Sequence, residues 1–170
     1  MTADNELYPL YVTRFVGSLG HVTLLTLLPT YIETLGATGV VVGLFVTALV
    51  VGQTTAVVPL GWAADRYDKR LVLLGVLSLS VVVYALYLVI DTSTEFVLLR
   101  VVQGFVFAGT GMVSLALVGD LAGADERGNR IGMFNSWRMA AGIVGSLGAG
   151  TAYELYGFGP IFGALALGFV

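Results

Sequence analysis

The sequence contains no cysteine, which excludes disulfide bonds and metal sites built from thiolates. Charged residues are scarce as well: they make up 11% of the 170 residues, whereas apolar residues make up 57%. A soluble domain carries about a quarter charged residues. A chain with so little charge cannot cover a water-exposed surface, so we expect a protein of the lipid bilayer, organised as one domain over residues 1–170.

Other absences narrow the function. The basic residues are few and the formal net charge is −3, so no nucleic-acid partner is expected. The sequence shows no nucleotide-binding loop, no cluster of metal ligands and no nucleophile beside a base, so we expect no metal, no cofactor and no enzymatic activity. The first residues are acidic and the first apolar stretch is long, which argues against a cleaved signal peptide.

Long apolar stretches dominate what is present. A helix needs about 20 mostly apolar residues to cross the hydrocarbon core. Five stretches meet this requirement, at residues 11–35, 40–64, 71–90, 96–118 and 131–156. A sixth, at 158–170, would rise only about 20 Å, less than the roughly 30 Å core. The sequence therefore predicts an all-α membrane protein with five complete transmembrane helices and a partial, truncated sixth.

The basic residues of the links indicate an orientation. The links at 36–39 and 91–95 contain no Lys or Arg, whereas those after the second and fourth helices contain five between them. Arg14 lies near the start of the first helix. Because basic loops stay in the cytoplasm, we expect a multi-pass protein of the plasma membrane with a cytoplasmic N-terminus.

A short pattern occurs twice in the chain. Gly-x-Ala-x-acid-x-Tyr stands at 61–67, near the end of the second predicted helix, and again at 150–156, near the end of the fifth. Arg14 and Arg100 likewise lie near the starts of the first and fourth helices. Two three-helix units with an odd number of crossings would be inverted relative to each other.

The turn after the second helix carries the most informative motif. Its pattern Gly-x-x-x-Asp-Arg-x-x-Lys-Arg, at 61–70, closely resembles the loop between helices two and three of the major facilitator superfamily of secondary transporters. The chain has Asp68 where that family prefers glycine. The resemblance implies the N-terminal six-helix half of the family's fold, which is built from two inverted three-helix repeats and moves a small solute by alternating access.

The same resemblance implies a gate. The family's matching aspartate faces a helix N-terminus of the other half, and its basic residues pair with an acid on helix four. Asp120 stands at the end of the fourth helix, and Lys69 and Arg70 are its candidate partners; the loop at 119–128 resembles the family's link between helices four and five. The candidate gating residues are Gly61, Asp65, Arg66, Lys69, Arg70, Asp120 and Arg127. The alternative is a set of solvated charges that only fix the topology.

A second set of residues is expected to line a cavity. The run Arg-Val-Val-Gln-Gly at 100–104 resembles the family's helix-four signature, and Phe107, Gly111 and Ser114 continue its face. The alternative for Arg100 is snorkelling to the outer surface. Polar residues also lie on the first and fifth helices. The alternative for His21 is a structural role, in which it bonds to a neighbouring helix and does not line the cavity. The candidate cavity residues are Arg14, His21, Arg100, Gln103, Asn135 and Arg138.

These observations predict one half of a secondary transporter. The expected partners are the lipid bilayer, a small solute with or without a coupling ion, and a C-terminal half or, less favoured, a second copy of the chain. Drug antiporters of the family carry Gly-Pro where this chain has Gly145 and Ser146, which disfavours a typical multidrug exporter. The alternative function is a half-size sensor or assembly partner that keeps the fold without transport.

Overall fold

The computed structural model describes residues 3–36 and 39–169, and every regular element in these ranges is an α-helix. The expectation of an all-α membrane protein is confirmed. Residues 37 and 38 of the predicted link at 36–39, and residue 170 of the predicted sixth helix, lie outside the described residues. In chain order the helices are α1 (Ala3–Thr26), α2 (Leu28–Thr34), α3 (Val40–Arg66), α4 (Lys69–Leu86), α5 (Ser93–Leu121), α6 (Arg127–Tyr156) and α7 (Phe158–Gly168).

The ends of these helices follow local rules. Asp68 caps α4 by accepting a hydrogen bond from the backbone N–H of Arg70 at 2.8 Å. Thr92 and Glu95 form a reciprocal capping box at the start of α5. Gly157 separates α6 from α7 with a φ of 71°, a conformation that favours glycine. Polar residues between the apolar runs therefore set where α4 and α5 begin.

The first predicted span is two helices instead of one. α1 and α2 meet at Leu27 with a bend of 52°. Pro29 lies in the first turn of α2, and its ring cannot donate the hydrogen bond that would continue α1. The apolar run at 11–35 has no charged residue at this point, so its hydropathy gave no sign of the bend.

By length and composition, α3, α4 and α5 are the described helices that can each cross a membrane, and the bent pair α1–α2 would be a fourth span. Hydrocarbon provides no partner for backbone N–H and C=O groups, so even the valine-rich α3 forms a continuous helix. α6 has 30 residues, which is long enough to cross, but its arginines and small polar residues lower its hydropathy. Its crossing stays a prediction.

The helices pack as one bundle in which α3 lies against α5 and α1 against α6. Glycine makes the first of these contacts very close. A Cβ added to Gly52 would collide with the backbone carbonyl of Val101, and one added to Gly104 would collide with the carbonyl of Leu49. Small residues at such positions let helix backbones approach in a membrane protein. α4 packs on α5 and α7, which completes the bundle.

Candidate functional site

Two ion pairs connect three helices around the turn between α3 and α4. Lys69 at the start of α4 bonds to Asp120 near the end of α5, with 2.5 Å between Nζ and Oδ2. Arg70 bonds to Glu6 on α1, with 2.7 Å between Nη2 and Oε2. Of the two candidate partners predicted for Asp120, the structure therefore pairs Lys69 with it. Glu6 was not among the predicted residues.

The remaining gate candidates face open space. The Arg66 guanidinium lies 5.6 Å from the ring centroid of Trp62, one turn earlier on α3. Asp65 is exposed and makes no ion pair with any described residue. A Cβ added to Gly61 would meet nothing within 4 Å. Arg127 is exposed at the first residue of α6. This part of the turn is thus free on the side away from the bundle.

A cavity of about 330 Å³ opens between α1, α3, α5 and α6. This volume is at the lower end of the range typical of small-molecule sites. Two of the predicted cavity residues, Arg14 and Asn135, line it together with an amide from α3 and aromatic side chains from α5 and α6. Its lining residues are Arg14, Gln53, Phe107, Ala108, Gly111, Met112, Leu115, Phe134 and Asn135.

Arg14 is the central charge of this cavity. Its guanidinium lies over the Phe134 ring at 5.2 Å and beside the Phe107 ring at 6.0 Å, which are cation–π distances. A Cβ added to Gly111 would stand 2.5 Å from Nη1 of Arg14, so the glycine provides the space that the guanidinium occupies. The Nε atom is buried and has no hydrogen-bond partner among the described residues.

Arg138, a predicted cavity residue, lies one turn after Asn135 on α6 but is not among the residues that line the cavity. Neither Arg14 nor Arg138 forms an ion pair with a described residue. A charge without an acid beside it is unfavourable inside a membrane protein.

His21 lies beside the cavity without lining it. Its ring stacks on Phe107, with 4.1 Å between centroids and 18° between planes. Its Nδ1 atom is buried and has no partner in the described part of the chain. The charges of Arg100 and Arg14 both act on it. The predicted hydrogen bond of a structural histidine to a neighbouring helix is therefore missing at this nitrogen.

Arg100 and Gln103 form a separate polar network inside the bundle. Arg100 is 1% exposed, so it does not snorkel in this structure, and it is not among the residues that line the cavity. Its Nη1 donates to Oε1 of Gln103 at 2.9 Å, and the Tyr87 hydroxyl donates to the same oxygen at 2.9 Å. Nε2 of Gln103 donates to the Tyr84 hydroxyl at 3.4 Å. The guanidinium also lies 5.3 Å from the Phe96 ring centroid.

Sequence reasoning missed several residues of both regions. Tyr84 lies in the last turn of α4 and Tyr87 directly follows that helix; their spacing of three residues was the available signal. Gln53 is a lone amide within an apolar helix, which is itself a signal of function. Phe134 gave no signal, since an aromatic residue in such a helix is ordinary.

Two other concave regions lack this chemistry. A cavity of about 390 Å³ adjoins Glu6 and Arg70, but these two charges already neutralise each other. A cavity of about 360 Å³ between α4 and α5 is almost entirely apolar, as expected of a surface that contacts lipid tails. The described residues contain no group of three or more His, Asp or Glu side chains that could hold a metal ion.

Comparison with known proteins agrees with these features. Residues 10–170 match the family described as Major Facilitator Superfamily. An uncharacterized MFS-type transporter of Methanocaldococcus jannaschii is 24% identical over 154 residues, which are 91% of this chain and 40% of the relative. The Staphyloferrin B transporter of Staphylococcus aureus is 29% identical over 164 residues, 93% of this chain and 39% of the relative. The chain thus spans about two fifths of the length of these curated relatives.

Proposed function

The chain belongs to the major facilitator superfamily, and from this premise we propose that it forms the N-terminal half of a transporter that moves a small solute by alternating access. The observation that carries the proposal is the cavity beside Arg14. It is built from four helices of a membrane bundle, its mostly apolar lining includes one guanidinium and two amides, and its charge has no acidic partner among the described residues. Polar groups at such a depth usually mark a solute pathway.

The open side of the cavity supports a second bundle as the partner. α6 presents large apolar side chains on its exposed face, among them Met139, Ile143 and Leu147. If the polar groups of the cavity next to this face contacted lipid, they would lack hydrogen-bond partners, which costs free energy. A C-terminal bundle of the same fold would cover it and complete the solute site, as alternating access requires. We favour this partner over a second copy of the chain.

The helix contacts also support the proposed inverted repeat. If the first three spans correspond to the last three, α1, α3 and α4 correspond to α5, α6 and α7. The packing of α3 on α5 then corresponds to that of α6 on α1, and both contacts are extensive. At the offset of the repeated pattern, Gly52 of the first contact corresponds to Ala141, a small residue that is buried in α6.

The gate is proposed to work through two sets of charges. The pairs Lys69–Asp120 and Arg70–Glu6 hold α1, α4 and α5 together at one end of the bundle. Asp65 is exposed there without an ion pair among the described residues. We propose that it bonds the C-terminal half when the transporter faces outward. This end is then cytoplasmic, as the basic turn suggests, and the protein lies in the plasma membrane.

Accessibility from both sides of the membrane tests alternating access without knowledge of the solute. Met112→Cys places a thiol in the cavity, and Val58→Cys places one on a surface that is 78% exposed on α3. The complete transporter is labelled with an impermeant thiol reagent in right-side-out and inside-out vesicles. Position 112 should react from both sides, because each conformation opens the cavity to one of them.

Position 58 is the control for a site that contacts lipid, and it should react from neither side. Labelling of position 112 from one side only would contradict alternating access. That result would leave a cavity that opens in one direction, as in a receptor or sensor.

A further inference from the structure

We propose that the solute carries an anionic group of the carboxylate type, which the guanidinium of Arg14 binds in the cavity. The inference rests on the proposed function only in taking this cavity as the solute site. It begins from a charge imbalance. Arg14 lines the cavity, and no described carboxylate pairs with it.

The chain places its acids elsewhere. The ion pairs Lys69–Asp120, Arg70–Glu6 and Arg130–Glu126 all lie near helix ends. The segments of α1 and α5 that face the cavity contain no acid, since none occurs between Glu6 and Glu33 or between Glu95 and Asp120. We therefore expect the negative charge that compensates Arg14 to come from a group outside this bundle.

The immediate surroundings of Arg14 fit a planar anion better than a cation. Its Nε–H is buried without a partner, although the guanidinium itself lies against two rings. An arginine side can give two parallel hydrogen bonds to one carboxylate. Asn135 and Gln53 provide amide N–H donors on the opposite walls of the same cavity. A positively charged solute would instead meet the like charge of Arg14 without a compensating acid.

The rest of the lining indicates the remainder of the solute. Phe107, Phe134 and Met112 make an apolar wall beside the arginine. A small molecule with one anionic end and one flat, apolar or aromatic end would satisfy both parts. The cavity thus favours an amphipathic organic anion over a sugar, whose hydroxyl groups would face this apolar wall.

A matched set of probes tests the charge preference. Benzoate, benzamide and benzyltrimethylammonium share one aromatic ring and differ in charge. Their dissociation constants are measured by saturation-transfer NMR on the complete transporter in detergent, without any gradient. Benzoate should bind at least about tenfold more tightly than the other two, which is the scale of a charge-assisted hydrogen bond.

Variants assign the preference to Arg14. Arg14→Gln should weaken benzoate binding at least about tenfold and leave benzamide binding unchanged. Arg14→Lys should lie between, because the ammonium keeps the charge and loses the planar pair of donors. Arg130→Gln removes an arginine of α6 that does not line the cavity, and should leave benzoate binding as it is. Gly111→Ala displaces the Arg14 guanidinium without removing it, and serves if the glutamine variant does not fold.

Three results would overturn the proposal. The first is equal binding of the three probes, and the second is preference for the cation. The third would show that a carboxylate of the C-terminal half neutralises Arg14: benzoate binding would not change in Arg14→Gln, while cation binding would become tighter in that variant. Normal probe binding with one-sided labelling at position 112 would instead refute the transport cycle and leave the anion site standing.

Discussion

Among single residues, Arg100 is the most costly side chain to bury. It is 1% exposed, it makes one hydrogen bond to Gln103, and its Nε atom has no partner among the described residues. No described carboxylate pairs with it. A buried charge normally requires a partner of opposite sign, so this arginine reduces the stability of the bundle. We therefore expect that function, and not folding, requires an arginine at this position.

Arg100→Met should therefore leave the fold intact. Methionine has a similar length and would still lie against Phe96, while Tyr87 keeps its hydrogen bond to Gln103. We expect the free energy of unfolding to be unchanged or higher by up to roughly 2 kcal/mol, while transport by the complete protein is lost. Denaturation in detergent measures the first effect and flux in vesicles the second. A loss of several kcal/mol would reveal a carboxylate partner for Arg100 elsewhere in the complete protein.

The ion pair Lys69–Asp120 is expected to contribute little to stability. The side chains are 29% and 56% exposed, so the surrounding water screens the interaction and its coupling energy should be about 0.5–1 kcal/mol. Reversing both charges, with Lys69→Asp and Asp120→Lys, should restore part of the stability that each single reversal loses. A double-mutant cycle in detergent measures this coupling.

A matched cycle between Lys69 and Glu6 is the control, because Glu6 bonds to Arg70. The two reversals should be additive in that cycle. Additive effects at Lys69 and Asp120 as well would show that the pair does not contribute to the closed gate.

At the scale of helices, the contact of α3 with α5 depends on two glycines. Gly52→Ala or Gly104→Ala would drive a methyl group into a carbonyl oxygen of the opposite backbone, which no side-chain rotation can relieve. We expect each to lower the free energy of unfolding by about 1–3 kcal/mol. Thermal unfolding of the complete protein in detergent checks this.

Gly43→Ala is the control on the same helix, since its Cβ would meet nothing within 4 Å. It should leave the midpoint unchanged or raise it slightly, because alanine favours a helix more than glycine does. Equal losses at positions 43 and 52 would mean that the close contact of α3 with α5 does not set the effect.

The sequence predicted the helices better than it predicted their contacts. Hydropathy indicated the apolar runs because the bilayer requires internally bonded backbone over a fixed length. It missed the bend before Pro29, where the run stays apolar while the ring removes one backbone donor. The sequence could not distinguish Lys69 from Arg70 as the partner of Asp120, because only the three-dimensional structure decides which cation reaches the acid.

The cavity was predicted in part for a similar reason. Arg14 and Asn135 were named from polar character at helical spacing, and both line the cavity. The same rule placed Arg100 and Gln103 there, yet they bond within the bundle to tyrosines of the α4 region. Polarity on a membrane helix indicates that a partner is needed. It does not tell whether that partner is a solute or a neighbouring helix.

For the whole molecule, the orientation in the membrane is the decisive prediction. This chain has no native cysteine, so single cysteines can be introduced without background from it. Cysteine at Tyr67 or Gly128 should be protected from an impermeant thiol reagent on intact cells, and cysteine at Gly36 or Ser93 should react, because the basic turns lie inside. Labelling at position 67 but not at 93 would reverse the orientation.

The glycine contact between α3 and α5 has a mechanical consequence for the cavity. Gln53 follows Gly52, and Phe107 lies one turn after Gly104, so two walls of the cavity are fastened where backbone touches backbone. The other two walls, from α1 and α6, meet through side chains such as Trp137 against Tyr11. Side chains can change rotamer, whereas two backbones in direct contact cannot adjust in this way. We expect the walls from α3 and α5 to stay fixed and the wall from α6 to move. A larger solute would then be accommodated by displacement of α6.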